Sequence, residues 1–180
     1  MAVKTFTTGE VLTASDTNTY LNNGGLVYIT STTIGSAVSS VTVSNVFSST
    51  YDNYKIVVNG GVGSTAQAIR LQLGSSATGY NYATLIWNYG TGALTTLNSN
   101  AGTLFDYVGE SNTNYNNIDL DVFSPNLAKY TTIQGFYIGA ASGGVAQGVH
   151  AVATAYTAFT ISVTGTMTGG TVFVYGYRKA

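Results

Sequence analysis

The sequence contains no cysteine, a single proline and a single histidine among its 180 residues. Without cysteine the chain forms no disulfide bonds and offers no thiolate ligands, which excludes a disulfide scaffold and a cysteine-ligated metal site. Met1 is not followed by a basic and then an apolar stretch, so we expect no secretory signal segment. No apolar run approaches the roughly 20 residues that a membrane-spanning helix needs.

Charge is also sparse, since charged residues make up 7% of the chain and the formal net charge is -1. Nucleic-acid binding depends on clustered Lys and Arg, and a helix on a membrane surface needs a basic face. We therefore expect neither a nucleic-acid partner nor a membrane partner. A β-rich surface with few charges and one proline lacks the usual protection against pairing of edge strands. The composition thus predicts a symmetric oligomer that covers much of this surface.

What the chain does contain is short runs of Val, Ile, Thr, Tyr and Phe separated by Gly, Asn and Ser, which is typical of strands and turns. The runs are 26–34, 38–47, 51–59, 66–73, 80–87, 103–108, 117–123, 130–138, 145–153, 158–163 and 171–178. Residues 88–117 are expected to be mostly loop. The pattern predicts an all-β fold, an antiparallel jelly-roll-like β-sandwich of about eight to ten strands over residues 26–180.

Residues 1–25 are the only stretch with a helical pattern. Thr13 and Asp16 have the T-x-x-D form of a helix start, and Gly24 and Gly25 end a helix predicted over residues 14–22. Nine residues are too few for an independent helix, because roughly 12 to 15 are already marginal in water. The segment therefore either packs on the domain or attaches to something outside it. We favour an attachment arm, because the strands supply a core without the helix.

The last run is apolar on both faces, with Val172 and Val174 opposite Phe173, Tyr175 and Tyr177. Such a strand is typically covered on both sides. A loop or a neighbouring subunit would cover the second face, and we predict a subunit interface at Phe173, Tyr175 and Tyr177. Residues 130–138 repeat the pattern, with Tyr130, Phe136 and Ile138 opposite Ile133 and Tyr137.

Catalytic and metal-binding patterns are weak. His150 lies in an alternating strand with no G-x-S-x-G turn around a serine, so a structural role is favoured over a catalytic one. Asp119 and Asp121 share one face of a strand, where they could ligate calcium or act as acid and base on a glycosidic bond. Strand alternation explains their spacing without a ligand. We therefore expect no metal, no cofactor and no catalytic residue, and an enzyme such as a polysaccharide hydrolase is the least favoured function.

Aromatic residues expected to be exposed are stronger candidates. Rings stack on sugar faces, and the same side chains build protein interfaces. One group, Tyr80, Tyr82, Trp87 and Tyr89, lies between Gly79 and Gly90, and a second, Tyr107 and Tyr115, lies among asparagines. The possible glycan contacts are Tyr82, Trp87, Tyr89 and Tyr115.

Three stretches resemble proteins of tailed bacteriophages. GEVLTASDTNTYL, residues 9–21, resembles a start common among tail-fibre and other virion surface proteins. FSSTYDNYKIVV, residues 47–58, and GGTVFVYGY, residues 169–177, resemble strands of β-rich domains in the same kind of protein. The resemblance implies a non-enzymatic structural protein, often a homotrimer, on the virion surface after assembly in the host cytoplasm.

The same resemblance implies anchoring by the N-terminal end on a major capsid or other virion protein. Phe6, Val11, Leu12, Tyr20 and Leu21 would fill a groove of that protein. No heptad shaft follows Gly25, which suits a capsid decoration or a short head fibre better than a long tail fibre. The alternative is a receptor-binding tail-fibre or adaptor module that recognises host-surface carbohydrate.

Overall fold

The computed structural model describes residues 5–16 and 25–179. Its one helical turn, α1, spans Ala14–Asp16. The Thr13 N–H donates to Asp16 Oδ2 at 3.1 Å, and the Asp16 N–H donates to Thr13 Oγ1 at 3.1 Å, which is the predicted capping pattern. The rest of the predicted helix, with Tyr20, Leu21 and Gly24, lies outside the described residues. No helix in the described ranges is long and apolar enough to cross a membrane.

The remaining elements are strands, and all their pairings within residues 25–179 are antiparallel. They are β1 Leu26–Thr33, β2 Val38–Val43, β3 Asn53–Asn59, β4 Val62–Gly63, β5 Gln67–Leu73, β6 Tyr80–Asn88, β7 Leu94–Gly102, β8 Phe105–Asn112, β9 Tyr115–Phe123, β10 Thr131–Ile138, β11 Ser142–His150, β12 Phe159–Thr168 and β13 Thr171–Tyr177. The all-β antiparallel class is confirmed.

Within residues 25–179 the pairings form one continuous 13-stranded sheet, which divides at β9 into two parts that we call the large sheet and the small sheet. The large sheet has the order β1-β13-β3-β9-β10-β11-β6-β7, and the small sheet has the order β2-β12-β5-β8, with β4 beside β12. Ile118 of β9 pairs with Val58 of β3 on one side and with Gly109 of β8 on the other. One core cluster contains Ile56, Leu120 and Val174 from the large sheet together with Leu71, Phe159 and Ile161 from the small sheet. The architecture is therefore an antiparallel β-sandwich.

The described residues hold more strands than the predicted eight to ten, because β7 lies in the region predicted to be mostly loop and the two-residue β4 was not predicted. The strand predicted over residues 103–108 is β8, which continues to Asn112. Among the residues that the structure describes, β7 pairs only with β6, and it is exposed along most of its length. An edge strand that is wet on both faces carries no alternation of apolar and polar residues, which is why the pattern did not reveal it. β8 contains a bulge opposite β5, where the register shifts between Ile69 and Leu71. The bulge interrupts the period of two.

Several predicted strand ends are also corrected. β2 stops at Val43 because Asn45 has a φ of 55°, a left-handed conformation that turns the chain. The N–H groups of Val46 and Phe47 then donate to the Thr157 carbonyl at 2.8 and 3.2 Å, so these two residues belong to a loop packed on the core. β11 begins at Ser142 rather than residue 145, and β12 continues to Thr168 rather than ending at residue 163.

The two strands predicted to be apolar on both faces differ in their outward sides. Val172 and Val174 of β13 are buried, and Phe173, Tyr175 and Tyr177 are half-buried on the opposite face. β10 buries Ile133 and Tyr137, whereas Tyr130, Phe136 and Ile138 are exposed. The outward face of the large sheet is therefore more open at β10 than at β13.

Candidate functional site

The first candidate is the N-terminal arm, defined here as residues 5–16. Residues 5–15 are all exposed, with Val11 at 78% and Leu12 at 50%, and Asp16 is half-buried. Two short turns organise the arm. The Thr7 N–H donates to Glu10 Oε2, as the Thr13 N–H donates to Asp16 Oδ2, but the Glu10 N–H donates to the Thr7 main-chain carbonyl rather than to the threonine hydroxyl. The arm thus has local hydrogen-bonded structure without contributing to the core.

The second candidate lies on the outward face of the large sheet, and strand register fixes which side chains share it. Residues directly opposite each other on paired strands point to the same face. One row of partners across six strands is Phe173, Val57, Asp119, Phe136, Val145 and Leu85. A neighbouring row is Ile138, Gly143, Trp87 and Leu94. Apolar residues that are distant in sequence therefore meet on β10, β11, β6 and β7.

We call this region the outer apolar patch. Its members are Leu85, Trp87, Tyr89, Leu94, Phe136 and Ile138, and each is between 37% and 64% exposed. A cleft of about 290 Å³ lies in the same sheet region, lined by Ala83, Thr84, Leu85, Thr96, Val145 and Gln147. Contiguous exposed apolar surfaces often mark interaction sites, whereas single exposed apolar residues are common on any protein.

Two adjacent glycines of β11 shape the patch. A Cβ on Gly143 would collide with the Tyr89 ring, and a Cβ on Gly144 would collide with the Tyr137 ring and the Leu85 carbonyl. The absence of a side chain at Gly143 therefore lets Tyr89 lie against β11 on the outward face. At Gly144 it lets Tyr137 fill the inward face.

A polar strip borders the patch. Lys55 Nζ contacts Asp119 Oδ1 and lies 3.6 Å from Asp121 Oδ1, and Tyr177 Oη donates to Asp121 Oδ1 at 2.6 Å. Burial opposes the charge of Lys55, but hydrogen bonds and charges from Asp119 and Asp121 outweigh it and raise its pKa. Burial and the bond to Asp121 raise the pKa of Tyr177 to about 12. The predicted shared face of the two aspartates is confirmed, and the Lys55 ammonium group of the same chain lies between them.

A third feature surrounds Glu110, which is 5% exposed. Glu110 Oε1 accepts hydrogen bonds from Tyr115 Oη at 2.6 Å and from the Ala140 N–H at 3.3 Å. Burial, followed by this hydrogen bond and the carboxylate charge, raises the pKa of Tyr115. These contacts join β8, β9 and the turn between β10 and β11, so Glu110 connects the end of the small sheet to the large sheet.

Tyr107 lies beside this cluster in a left-handed conformation with a φ of 59°. Its N–H donates to Asp106 Oδ1 at 2.9 Å, and Arg70 Nε donates to the same oxygen at 3.0 Å. Its ring meets the Tyr137 ring edge-on, with centroids 4.8 Å apart. Burial raises the pKa of Tyr107 to about 12. Strain of this size, of the order of 1 kcal/mol, persists only where neighbours hold the residue in place.

The predicted glycan contacts do not form one group. Trp87 and Tyr89 share the outer apolar patch, and the Tyr115 hydroxyl is engaged by Glu110. Tyr82 is half-buried and packs against the core cluster. The Asn88 side-chain oxygen accepts N–H bonds from Gly90 and Thr91 and so shapes a turn. Tyr80, from the same aromatic run, is fully buried between Phe105 and His150.

His150 is also fully buried. Ser76 Oγ and His150 Nε2 are 2.9 Å apart, while Nδ1 has no hydrogen-bond partner among the described residues. Burial lowers the pKa of His150. The serine–histidine contact thus has no described acid behind it, and substrate has no access to the ring. Across the described ranges, no group of three or more His, Asp or Glu is placed to hold a metal ion.

Comparison of the chain with protein-family models, with curated proteins and with solved structures gives no match. The features of the chain that bear on its function are therefore the N-terminal arm and the outward face of the large sheet. Sequence reasoning found Phe136 and Ile138 through their alternation with buried neighbours. It missed Leu85 and Leu94 as surface residues, because only the pairing of β6 with β7 and β11 brings them into one patch.

Proposed function

We propose that the chain is a non-enzymatic structural protein displayed on a bacteriophage particle as a capsid decoration or short head fibre. It oligomerises through its β-sandwich and attaches through its N-terminal arm to a major capsid or other virion protein. The observation that carries the proposal is the arm, which presents Val11 and Leu12 to solvent outside a sandwich with its own core. The resemblance of residues 9–21 to phage attachment segments supports the same role.

The arm suits docking energetically. Full burial of a Val or Leu side chain contributes roughly 1.5–3 kcal/mol, so Val11 and Leu12 together supply a useful share of a stable contact. The hydrogen-bonded turns at Thr7–Glu10 and Thr13–Asp16 reduce the conformational entropy that binding has to remove. Phe6 is exposed on the same segment. Tyr20 and Leu21, the other predicted contacts, lie outside the described residues.

The sandwich suits a structural role. The only histidine is buried, and the two aspartates on the outward face share a lysine of their own chain. The exposed surface is instead apolar at the outer apolar patch, which fits contacts between proteins. These features support a displayed structural module over a hydrolase.

Incorporation into particles tests the proposal. Four forms are compared in particles purified from a phage lysate: the full chain, a deletion of residues 1–24, Val11→Asp with Leu12→Asp, and Thr8→Asp with Ser15→Asp. The last variant adds the same charge at exposed polar positions of the arm. We expect the full chain and the Thr8/Ser15 variant in particles, and at least a tenfold loss for the other two.

Circular dichroism and thermal unfolding accompany each form. The deletion is expected to keep the β signal and the melting temperature of the full chain, because the arm lies outside the core. If the deletion unfolds, the arm belongs to the folded domain and the attachment role is wrong. Equal incorporation of all four forms would also refute it.

A second candidate function is the binding of host-surface carbohydrate. It is favoured by the exposure of Trp87 and Tyr89 on the outward face of the large sheet. Trp87 is the only tryptophan, so its fluorescence reports this face alone. Titration with host polysaccharide should shift the emission, and Trp87→Ala should abolish binding while the fold stays intact. An unchanged emission with every host polysaccharide would contradict this candidate.

A further inference from the structure

We propose that the outer apolar patch is the surface through which copies of this chain contact each other, patch against patch. This inference names the surface for the oligomerisation in the proposed function, and it rests on the proposed function only for that oligomerisation. It holds equally for a chain that has no virion role. It commits to a second copy of this chain as the occupant of the patch, in place of carbohydrate or a different protein.

Exposure separates the patch from the aromatic face of β13. Phe136, Ile138 and Leu94 are each more than half exposed. Phe173, Tyr175 and Tyr177 are already half-buried within their own chain. The Tyr28 ring meets the Tyr175 ring with centroids 5.9 Å apart, and the Tyr177 hydroxyl binds Asp121. More apolar surface therefore remains to be covered on β10, β6 and β7 than on β13.

Charge favours an identical partner. The strands β6, β7, β10 and β11 contain no Asp, Glu, Lys or Arg. The adjoining charge, Asp119 beside Phe136, is paired with Lys55 of its own chain. Two such faces can meet without burying an unpaired charge, which is the most expensive defect of an interface. A strongly acidic or basic partner would find no counter-charge on these strands.

The outward face of β6, β7, β10 and β11 approaches the size of a stable interface. Four strands about 4.8 Å apart and about nine residues long, at about 3.3 Å per residue, cover roughly 550 Å² in projection. Side-chain relief makes the accessible area larger, and stable interfaces bury about 800 Å² per partner. The cleft of about 290 Å³ in this region can receive a large apolar side chain from the opposing copy.

Edge strand β7 strengthens the argument. Among the described residues it pairs only with β6, so its second row of backbone groups faces away from the sheet. It contains no proline and no charge, the usual devices that keep an edge from associating. The sequence of β7 therefore does not oppose association of copies next to Leu94.

Light scattering on the purified full chain tests the inference. We expect a mass of more than one chain for the wild type, and a shift towards the 18.7 kDa of one chain for Leu85→Lys and Phe136→Lys. Val62→Lys is the matched control, because Val62 on β4 is about as exposed as Leu85 but lies beside β12, outside the outer apolar patch. It should keep the wild-type mass. Thermal unfolding shows that each variant is folded.

Cross-linking gives a second readout that does not depend on the lysine variants. Because the chain has no cysteine, Thr96→Cys supplies a sole thiol on the outward face of β7, and Ser39→Cys supplies one at an exposed position of the small sheet. A short bis-maleimide should join copies of the Thr96 variant at least five times more efficiently than copies of the Ser39 variant.

The inference is overturned if the wild type is a monomer, or if Leu85→Lys and Phe136→Lys keep the mass of Val62→Lys. It is also overturned if Phe173→Lys alone dissociates the oligomer, which would place the contact on β13. A patch-dependent oligomer whose full chain stays out of particles would support the inference and refute the virion role. The two claims are thus tested separately.

Discussion

At the scale of single residues, His150 and Glu110 are two titratable groups held in buried surroundings. His150 lies between the rings of Tyr80 and Tyr156, with centroids 4.4 and 5.3 Å away. Glu110 is enclosed by Tyr115 and the turn at Ala140. The sequence predicted a non-catalytic position for His150 from its alternating strand. It gave no sign of the Glu110 contacts, because they join residues from three elements.

The pH dependence of stability should report His150. Burial lowers the pKa of His150 in the folded protein, whereas an unfolded histidine has a pKa near 6.5. The unfolded state therefore binds more protons below about pH 6.5, and stability falls as the pH decreases towards the folded pKa, by at most about 1.4 kcal/mol per pH unit. We expect His150→Gln to weaken the dependence of the free energy of unfolding on pH, measured by urea unfolding between pH 7 and 5. An identical slope in both proteins would contradict the assignment.

Substitution of Glu110 measures how much its hydrogen bonds contribute to the free energy of unfolding. Glu110→Ala leaves the Tyr115 hydroxyl and the Ala140 N–H without their acceptor, and an unsatisfied buried group costs about 1–3 kcal/mol. We expect a loss of about 2–3 kcal/mol in the free energy of unfolding. Asp119→Ala is the control, since its partly exposed ion pair should contribute at most about 1 kcal/mol. Equal losses would show that Glu110 is not structurally important.

At the scale of elements, the alternation of apolar and polar residues predicted the strands that are buried on one face. It did not predict strands whose position depends on pairing with a neighbouring strand. β3, β5, β9 and β10 alternate clearly and were placed within two residues. β7 is exposed at an edge, and β8 is bent by the left-handed Tyr107, so neither keeps a period of two. The T-x-x-D turn was found, while the similar turn at Thr7–Glu10 was missed because no helix follows it.

The two glycines of β11 give a matched pair of substitutions. Gly144→Ala places a Cβ against the Leu85 carbonyl and the buried Tyr137 ring, which cannot move aside. Gly143→Ala meets only the Tyr89 ring, which is exposed and can swing away. We expect Gly144→Ala to destabilise the fold by about 1–3 kcal/mol and Gly143→Ala by less than about 1 kcal/mol. Chemical denaturation measures both, and the reverse order would show that the sheet is packed differently.

At the scale of the whole molecule, the features on which the two proposals rest lie in separate regions. The arm lies outside the core, the polar strip of Lys55, Asp119 and Asp121 crosses the large sheet, and the outer apolar patch covers four of its strands. The sequence predicted the arm and the shared face of the two aspartates. It could not place Lys55 between them or assemble the patch, because both depend on pairings between strands that are distant in sequence.

Electron cryomicroscopy of intact particles tests the central claim most directly. A reconstruction of particles that carry the full chain should show the sandwich outside the shell, with residues of the arm in a groove of another virion protein. It should also show outer apolar patches of neighbouring copies in contact. Particles with no density for the sandwich would contradict this account. So would a sandwich that docks on the particle through its large sheet while the arm extends into solvent.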